Sequence, residues 1–118
     1  MKTIKPLELE AMLREGSMPM DIVDIRPRTA FAHSRIEGAH SLPEAVICVE
    51  TLVASRQLLV TEPLYIVSET GVLAQSIALK LEEEGLDNLI VLAGGVRAWR
   101  DAGLPVAGVA LQRAASLA

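Results

Sequence analysis

Residues 64–81 read LYIVSETGVLAQSIALKL, a short apolar run followed by a polar loop and an amphipathic segment. This pattern predicts a buried strand over Leu64–Val67 and a helix from Val72 to Glu84, which Gly85 ends. In an open α/β sheet the loop after such a strand faces the crevice where ligands bind. The unpaired N–H groups of the first helical turn also point into this loop and can bind an anion. The loop is therefore the first candidate for a functional site.

The rest of the chain alternates between strands and helices. Other strands are predicted at residues 3–4, 21–26, 88–92 and within 38–43, and other helices at residues 7–16, 29–32 and from Gly94-Gly95 through Trp99. Parallel strands need crossover connections, so this alternation predicts an α/β fold with a parallel sheet of about five strands and helices on both faces.

The stretch from Glu44 to about Leu59 is ambiguous, because its apolar residues fit a helix or a strand. We favour a helix, or irregular structure followed by a helix. The single cysteine, Cys48, lies in this stretch between apolar neighbours, a setting that raises the pKa of a thiol and suits a buried residue. We therefore interpret Cys48 as a core or helix-face residue, and a displaced nucleophile is the alternative.

Composition excludes several classes of protein. The length of 118 residues, with 51% apolar and 22% charged residues, is typical of one globular domain. A net charge of −4 argues against nucleic acid or an anionic membrane as the main partner. No apolar run approaches the roughly 20 residues of a membrane span. Since the first residues, MKTIKP, also lack an apolar signal core, the cytoplasm is the expected compartment.

The sequence also predicts no metal and no cofactor. One cysteine excludes an internal disulfide and a cysteine-based zinc site. His33 and His40 are the only histidines, which argues against a multi-histidine metal site. We interpret both as surface or packing residues.

Several stretches, taken in order, resemble the rhodanese-like family. DIVDIRP at residues 21–27 resembles an aliphatic strand ending in Asp-x-Arg, and RIEGAHSLP at 35–43 resembles Gly-His-Ile-x-Gly-Ala running to a proline. At the start of the second stretch, Arg35 and the preceding Ser34 stand where the family usually has Gly-His. The most specific part is Gly-Gly-x-x-x-Trp-x-x-x-Gly-Leu-Pro, at residues 94–105. The resemblance covers about residues 3–107. It implies a three-layer α/β/α domain over residues 1–108, followed by a tail over 109–118.

The resemblance also implies sulfur transfer, in which a loop cysteine accepts a sulfane sulfur from thiosulfate or another donor and passes it to a thiophile. The family loop reads Cys-x-x-Gly-x-Arg-Ser. In this chain Ser68 falls at the cysteine, Gly71 at the glycine, Leu73 at the arginine and Ala74 at the serine.

These departures remove two requirements of the reaction. A serine hydroxyl forms no persulfide and needs an adjacent base to become a nucleophile, whereas a cysteine thiolate is abundant near neutral pH. Leu73 removes a cation that would hold an anionic donor, and Glu69 adds an anion at the mouth of the loop. We therefore expect the loop to be inactive in sulfur transfer; its residues are Ser68, Glu69, Thr70, Gly71, Val72 and Leu73.

The candidate binding residues are Asp24, Arg26, Ser68 and Gly71. Ser68 either contacts an anion or a peptide at the helix N-terminus or satisfies backbone groups as a cap or turn residue, and we favour the second interpretation. The family places Asp24 and Arg26 near the loop. We favour a structural role for them, in which they pair with neighbouring groups or cap the backbone. Trp99 is expected to pack the last helix on the sheet.

Three functions compete. The favoured hypothesis is a non-catalytic module that binds or regulates an unidentified protein partner. The alternative is sulfur transfer through Cys48 or through a cysteine of a partner. A hydrolase or phosphatase that uses Ser68 is the third, although the sequence offers it neither a base nor an arginine for a phosphoryl group. The aliphatic composition and the tail leave room for a homodimer.

Overall fold

Five short parallel strands form the centre of the molecule. The computed structural model describes residues 1–16, 20–56 and 63–108, with residues 53–56 described only as part of a helix. The strands are β1 (Lys2–Ile4), β2 (Asp21–Asp24), β3 (His40–Ser41), β4 (Leu64–Val67) and β5 (Leu89–Leu92). The helices are α1 (Pro6–Glu15), α2 (Arg28–His33), α3 (Val49–Arg56), α4 (Val72–Glu83) and α5 (Gly95–Asp101).

The strand order is β1-β5-β4-β2-β3, with every neighbouring pair parallel. Parallel strands end at the same edge of a sheet, so the residues that follow β2, β4 and β5 converge there. The register aligns Asp24 with Val67, and the N–H of Ile25 donates to the carbonyl oxygen of Val67 at 2.9 Å. The loop after β4 therefore lies beside the residues that follow β2.

Successive strand residues point to opposite faces of the sheet and build two apolar cores. On one face, Val23, Ile66 and Val91 pack with side chains of α3 and α4. On the other face, Ile22, Tyr65 and Leu92 pack with side chains of α1 and α5, including Trp99. Burial of both faces explains the almost continuous apolar character of β4 and β5. The predicted three-layer α/β arrangement and the packing of Trp99 are confirmed.

The ambiguous stretch after residue 43 resolves as turns followed by a helix. Residues 44–46 form turns and α3 begins at Val49, which confirms the favoured interpretation of irregular structure plus helix. Residues 57–59, where the end of this helix was expected, lie outside the described residues, as does the tail over 109–118. In the part of the chain that is described, no helix has the length and apolar character needed to cross a membrane.

Candidate functional site

The loop between β4 and α4 is held by the first turn of α5. The N–H of Val96 donates to the carbonyl oxygen of Ser68, and the N–H of Arg97 donates to that of Glu69, both at 2.9 Å. Helical N–H groups at this position have no partner within their own helix. The loop carbonyls satisfy them, so α5 fixes the path of the loop.

Two glycines allow this close approach. A Cβ atom at position 95 would overlap the carbonyl oxygens of Ser68 and Glu69. Gly71 has a φ of +92°, and a Cβ there would lie 3.1 Å from the backbone nitrogen of Gly94. Gly71 therefore serves the shape of the loop through its backbone, and whether it also binds a ligand stays a prediction.

Ser68 is buried under the loop, with 2% of its surface exposed. Its Oγ accepts hydrogen bonds from the N–H of Gly71 at 3.0 Å and from the N–H of Ala74 at 3.2 Å. Ala74 belongs to the first turn of α4, so the hydroxyl satisfies an N–H that the helix leaves unpaired. This is the backbone-satisfying role favoured from the sequence. Within the described residues, no basic side chain hydrogen-bonds to the Ser68 hydroxyl.

Two aliphatic side chains are exposed where the loop passes into α4. Val72 and Leu73, at the start of α4, are 70% and 38% exposed, and Thr70 is also exposed. The position that the family pattern gives to arginine thus presents an aliphatic side chain to solvent.

Asp24 and Arg26 form a buried ion pair beside the loop. Arg26 Nη2 lies 2.8 Å from Asp24 Oδ2, and Nε lies 3.0 Å from Oδ1. Arg26 Nη2 also donates to the carbonyl oxygen of Ser34 at 2.6 Å. Burial acts to lower the pKa of Arg26, but the carboxylates of Asp24 and Glu69 outweigh it and raise that pKa. The pair braces residues 24–34, in agreement with a structural role.

Glu69 joins this pair to α5, a link that sequence reasoning missed. Arg26 Nη1 lies 3.3 Å from Glu69 Oε1, and Arg100 Nη2 lies 2.6 Å from Glu69 Oε2. Arg100 Nη1 also donates to Ser34 Oγ at 3.2 Å. Partial burial acts to raise the pKa of Glu69, but the hydrogen bonds from Arg100 and Arg26 hold that pKa below its usual value.

The presence of these two guanidinium groups corrects one inference from the sequence. The loop contains no cation of its own; the family resemblance placed Arg26 near it, whereas Arg100 was not expected there. The fold brings Arg26 from the end of β2 and Arg100 from α5 to the Glu69 carboxylate. For Arg100 the only sequence signal is the parallel topology, which collects residues after β2, β4 and β5 at one edge of the sheet.

A cavity of about 370 Å³ opens beside this network. It is lined by Arg26, Ala30, His33, Ser34, Glu69, Arg100 and Val106. His33 is exposed at its rim, and His40 is exposed elsewhere, 4.0 Å from Asp21. Among the described residues, no three His, Cys, Asp or Glu side chains are grouped so that they could hold a metal ion.

Cys48 differs from the sequence expectation. It is half-buried and immediately precedes α3, where its N–H donates to Thr51 Oγ1 at 2.9 Å and its Sγ lies 3.4 Å from the same oxygen. The hydrogen bonds with Thr51 lower the pKa of the Cys48 thiol. The predicted rise was wrong, because the effect of these hydrogen bonds on the pKa outweighs that of burial. No hydrogen bond in the described structure joins Cys48 to residues 68–73.

The chain is similar to known proteins in both sequence and fold. The sequence model of the Rhodanese-like domain matches residues 5–102. Thiosulfate sulfurtransferase GlpE of Haemophilus influenzae (strain PittEE) is 29% identical over 106 residues, which are 89% of this chain and 93% of that protein.

Solved structures agree with this match. A rhodanese-like domain protein from Staphylococcus aureus is 32% identical with a TM-score of 0.70, and the alignment covers 92% of this chain and all (100%) of that one. The rhodanese-like domain of the Alr3790 protein from Anabaena sp. is 27% identical with a TM-score of 0.76, covering 96% of this chain and 83% of that one. The family profile, the relatives and the shared fold therefore show that this chain belongs to the rhodanese-like domain family.

Proposed function

We propose that this domain does not transfer sulfur and that it acts as a binding or regulatory module through the loop after β4. The observation that carries the proposal is Ser68, which stands at the nucleophile position and whose Oγ accepts the N–H groups of Gly71 and Ala74. A hydroxyl in this place cannot become a persulfide. It also lacks an adjacent base among the described residues, and a serine needs one to act as a nucleophile.

The charges around the loop support the same conclusion. The family pattern places an arginine at the position of Leu73, and the two arginines that do reach the loop are paired with Asp24 and Glu69. A thiosulfate dianion would meet the Glu69 carboxylate, and both of these guanidinium groups are already paired with carboxylates. The weak attraction for an anionic sulfur donor and the absence of a nucleophile are two independent reasons to expect no sulfur transfer.

The exposed side of the loop supports binding. Val72 and Leu73 present aliphatic surface next to Thr70, beside a loop that α5 holds in place. A fixed loop loses little conformational freedom when a partner docks, so more of the contact energy appears as affinity. We propose a protein partner, because apolar side chains of this kind favour burial against another apolar surface.

One observation favours a second candidate function, sulfur transfer through Cys48. Hydrogen bonds with Thr51 lower the pKa of this thiol, which raises the fraction of nucleophilic thiolate near neutral pH. The position of Cys48 argues against this function, because it lies just before α3 and, in the described part of the chain, makes no hydrogen bond to the loop.

A thiosulfate-to-cyanide assay separates the two candidates. The purified chain and its Cys48→Ser variant are assayed together, with a cysteine-containing rhodanese-like domain as positive control. Intact-mass spectrometry after thiosulfate treatment reports any addition of one sulfur. We expect no turnover and no added sulfur. Turnover that disappears in Cys48→Ser would establish the second candidate, and turnover that persists in Cys48→Ser would contradict both.

A further inference from the structure

The Glu69 carboxylate is bound in the way that proteins bind oxyanion ligands. Its two oxygens each accept a hydrogen bond from a different guanidinium, Oε1 from Arg26 and Oε2 from Arg100. Charge-assisted bonds of this type are among the strongest polar contacts that proteins make. The side chain remains 41% exposed and lines the same cavity as the two arginines.

The two guanidinium groups are held by contacts that do not involve Glu69. Arg26 is 3% exposed and is fixed by the carboxylate of Asp24 and the carbonyl oxygen of Ser34. Arg100 donates from its second nitrogen to the hydroxyl of Ser34, a buried residue. Both donors are therefore positioned before any ligand arrives, which is how proteins stabilise anions most effectively.

Two arginines and two carboxylates form this network, and their net charge is zero. Asp24 neutralises Arg26, and Glu69 neutralises Arg100. Removal of the Glu69 charge would leave one net positive charge beside a cavity of about 370 Å³. This volume is ample for a small oxyanion such as sulfate.

We propose that Arg26 and Arg100 form an oxyanion site whose occupant in the free domain is the chain's own Glu69. A small oxyanion, free or carried as an acidic group on a larger molecule, binds in this cavity only when Glu69 is displaced or loses its charge. The site does not depend on sulfur transfer, so it stands or falls separately from the proposed function.

The test is isothermal titration of inorganic sulfate at constant ionic strength. The proteins compared are the wild type, Glu69→Gln and Glu83→Gln, the last of which removes the same charge at the far end of α4. Glu69→Gln is expected to bind one sulfate at least tenfold more tightly than the wild type and Glu83→Gln. The double variant Glu69→Gln with Arg100→Met is expected to lose this gain.

Arginine side-chain NMR locates the binding. In Glu69→Gln, sulfate is expected to shift the Nε–H signals of Arg26 and Arg100 and to leave those of Arg14 and Arg97 in place. Glu69→Ala also removes the carboxylate from the cavity and replaces Glu69→Gln in these experiments if the glutamine variant does not fold. Equal sulfate affinity of the wild type and the folded variants, or no binding by either folded variant, would overturn the proposal.

Discussion

Gly95 packs directly on the backbone carbonyl of Ser68, so closely that a Cβ atom at position 95 would overlap the carbonyl oxygen. The next N–H groups of α5 bind the same part of the loop, from Val96 to Ser68 and from Arg97 to Glu69. The loop and the first turn of α5 therefore form one unit, and the conformation of Ser68 depends on a glycine 27 residues away in sequence.

The Gly95→Ala substitution is expected to be strongly destabilising. The new methyl group must push the loop away from α5, and overpacking of this kind costs about 1–3 kcal/mol in addition to the strain of a positive φ. Gly103 is the matched control, since its φ is +74°, against +63° for Gly95, and a Cβ there meets nothing within 4 Å. Urea unfolding should show a larger loss for Gly95→Ala. Equal losses in the two variants would contradict the close packing.

Ser68→Ala is expected to lower the free energy of unfolding by about 1 kcal/mol, the usual value of a helix-capping side chain. The variant leaves the N–H groups of Gly71 and Ala74 without the Oγ acceptor. Ser76→Ala, on the exposed side of α4, is the control and should change stability little. Denaturant unfolding measures both variants, and no difference between them would argue against the capping role.

Arg26→Met is expected to cost about 3–5 kcal/mol, because it leaves the buried Asp24 carboxylate without its partner. The double variant Asp24→Asn with Arg26→Met should recover part of this loss, since the unpaired charge is then removed as well. Arg97→Met changes an exposed arginine and serves as the control. A loss for Arg26→Met no larger than that for Arg97→Met would show that the buried pair is unimportant for stability.

Stability should depend on pH through Glu69. Its pKa in the folded protein lies below the ordinary value of 4.5, so the unfolded chain takes up the proton first as the pH falls. The contribution of Glu69 is therefore fully present above about pH 5.5 and is lost as the pH falls below 4.5 and through the folded pKa. Unfolding of the wild type and Glu69→Gln between pH 7 and pH 3 tests this. The gap between them should shrink toward low pH, and a gap that widens would contradict the ion pairs.

Much of the fold could be read from the sequence. The apolar run of β4 and the periodicity of α4 identify a strand–loop–helix unit. Strands and helices alternate along the rest of the chain as well, and this alternation predicts a parallel sheet. Ser68, Gly71 and Leu73 could be placed because the family pattern fixes their positions relative to one another.

The side-chain contacts around the loop could not be predicted from the sequence. Glu69 meets Arg100 across 31 residues of sequence, and Arg100 meets Ser34 across 66. Such contacts depend on the geometry of loops and not on any periodic pattern. The pKa of Cys48 could not be predicted for a related reason. Hydrogen bonds with Thr51 at the start of α3 lower it, and the apolar residues next to Cys48 in sequence do not indicate them.

We propose that this domain keeps the frame of the family's site and lacks the nucleophile and the cation that the family loop carries at the positions of Ser68 and Leu73. The most direct measurement is thiosulfate-to-cyanide turnover by the Cys48→Ser protein and by the Ser68→Cys, Leu73→Arg double variant made in that Cys48→Ser background. A thiol at position 68 would receive the N–H groups of Gly71 and Ala74, which favour the thiolate. We predict no turnover by the Cys48→Ser protein and measurable turnover by the double variant in that background. Equal turnover by both proteins, or none by a correctly folded double variant, would contradict the claim.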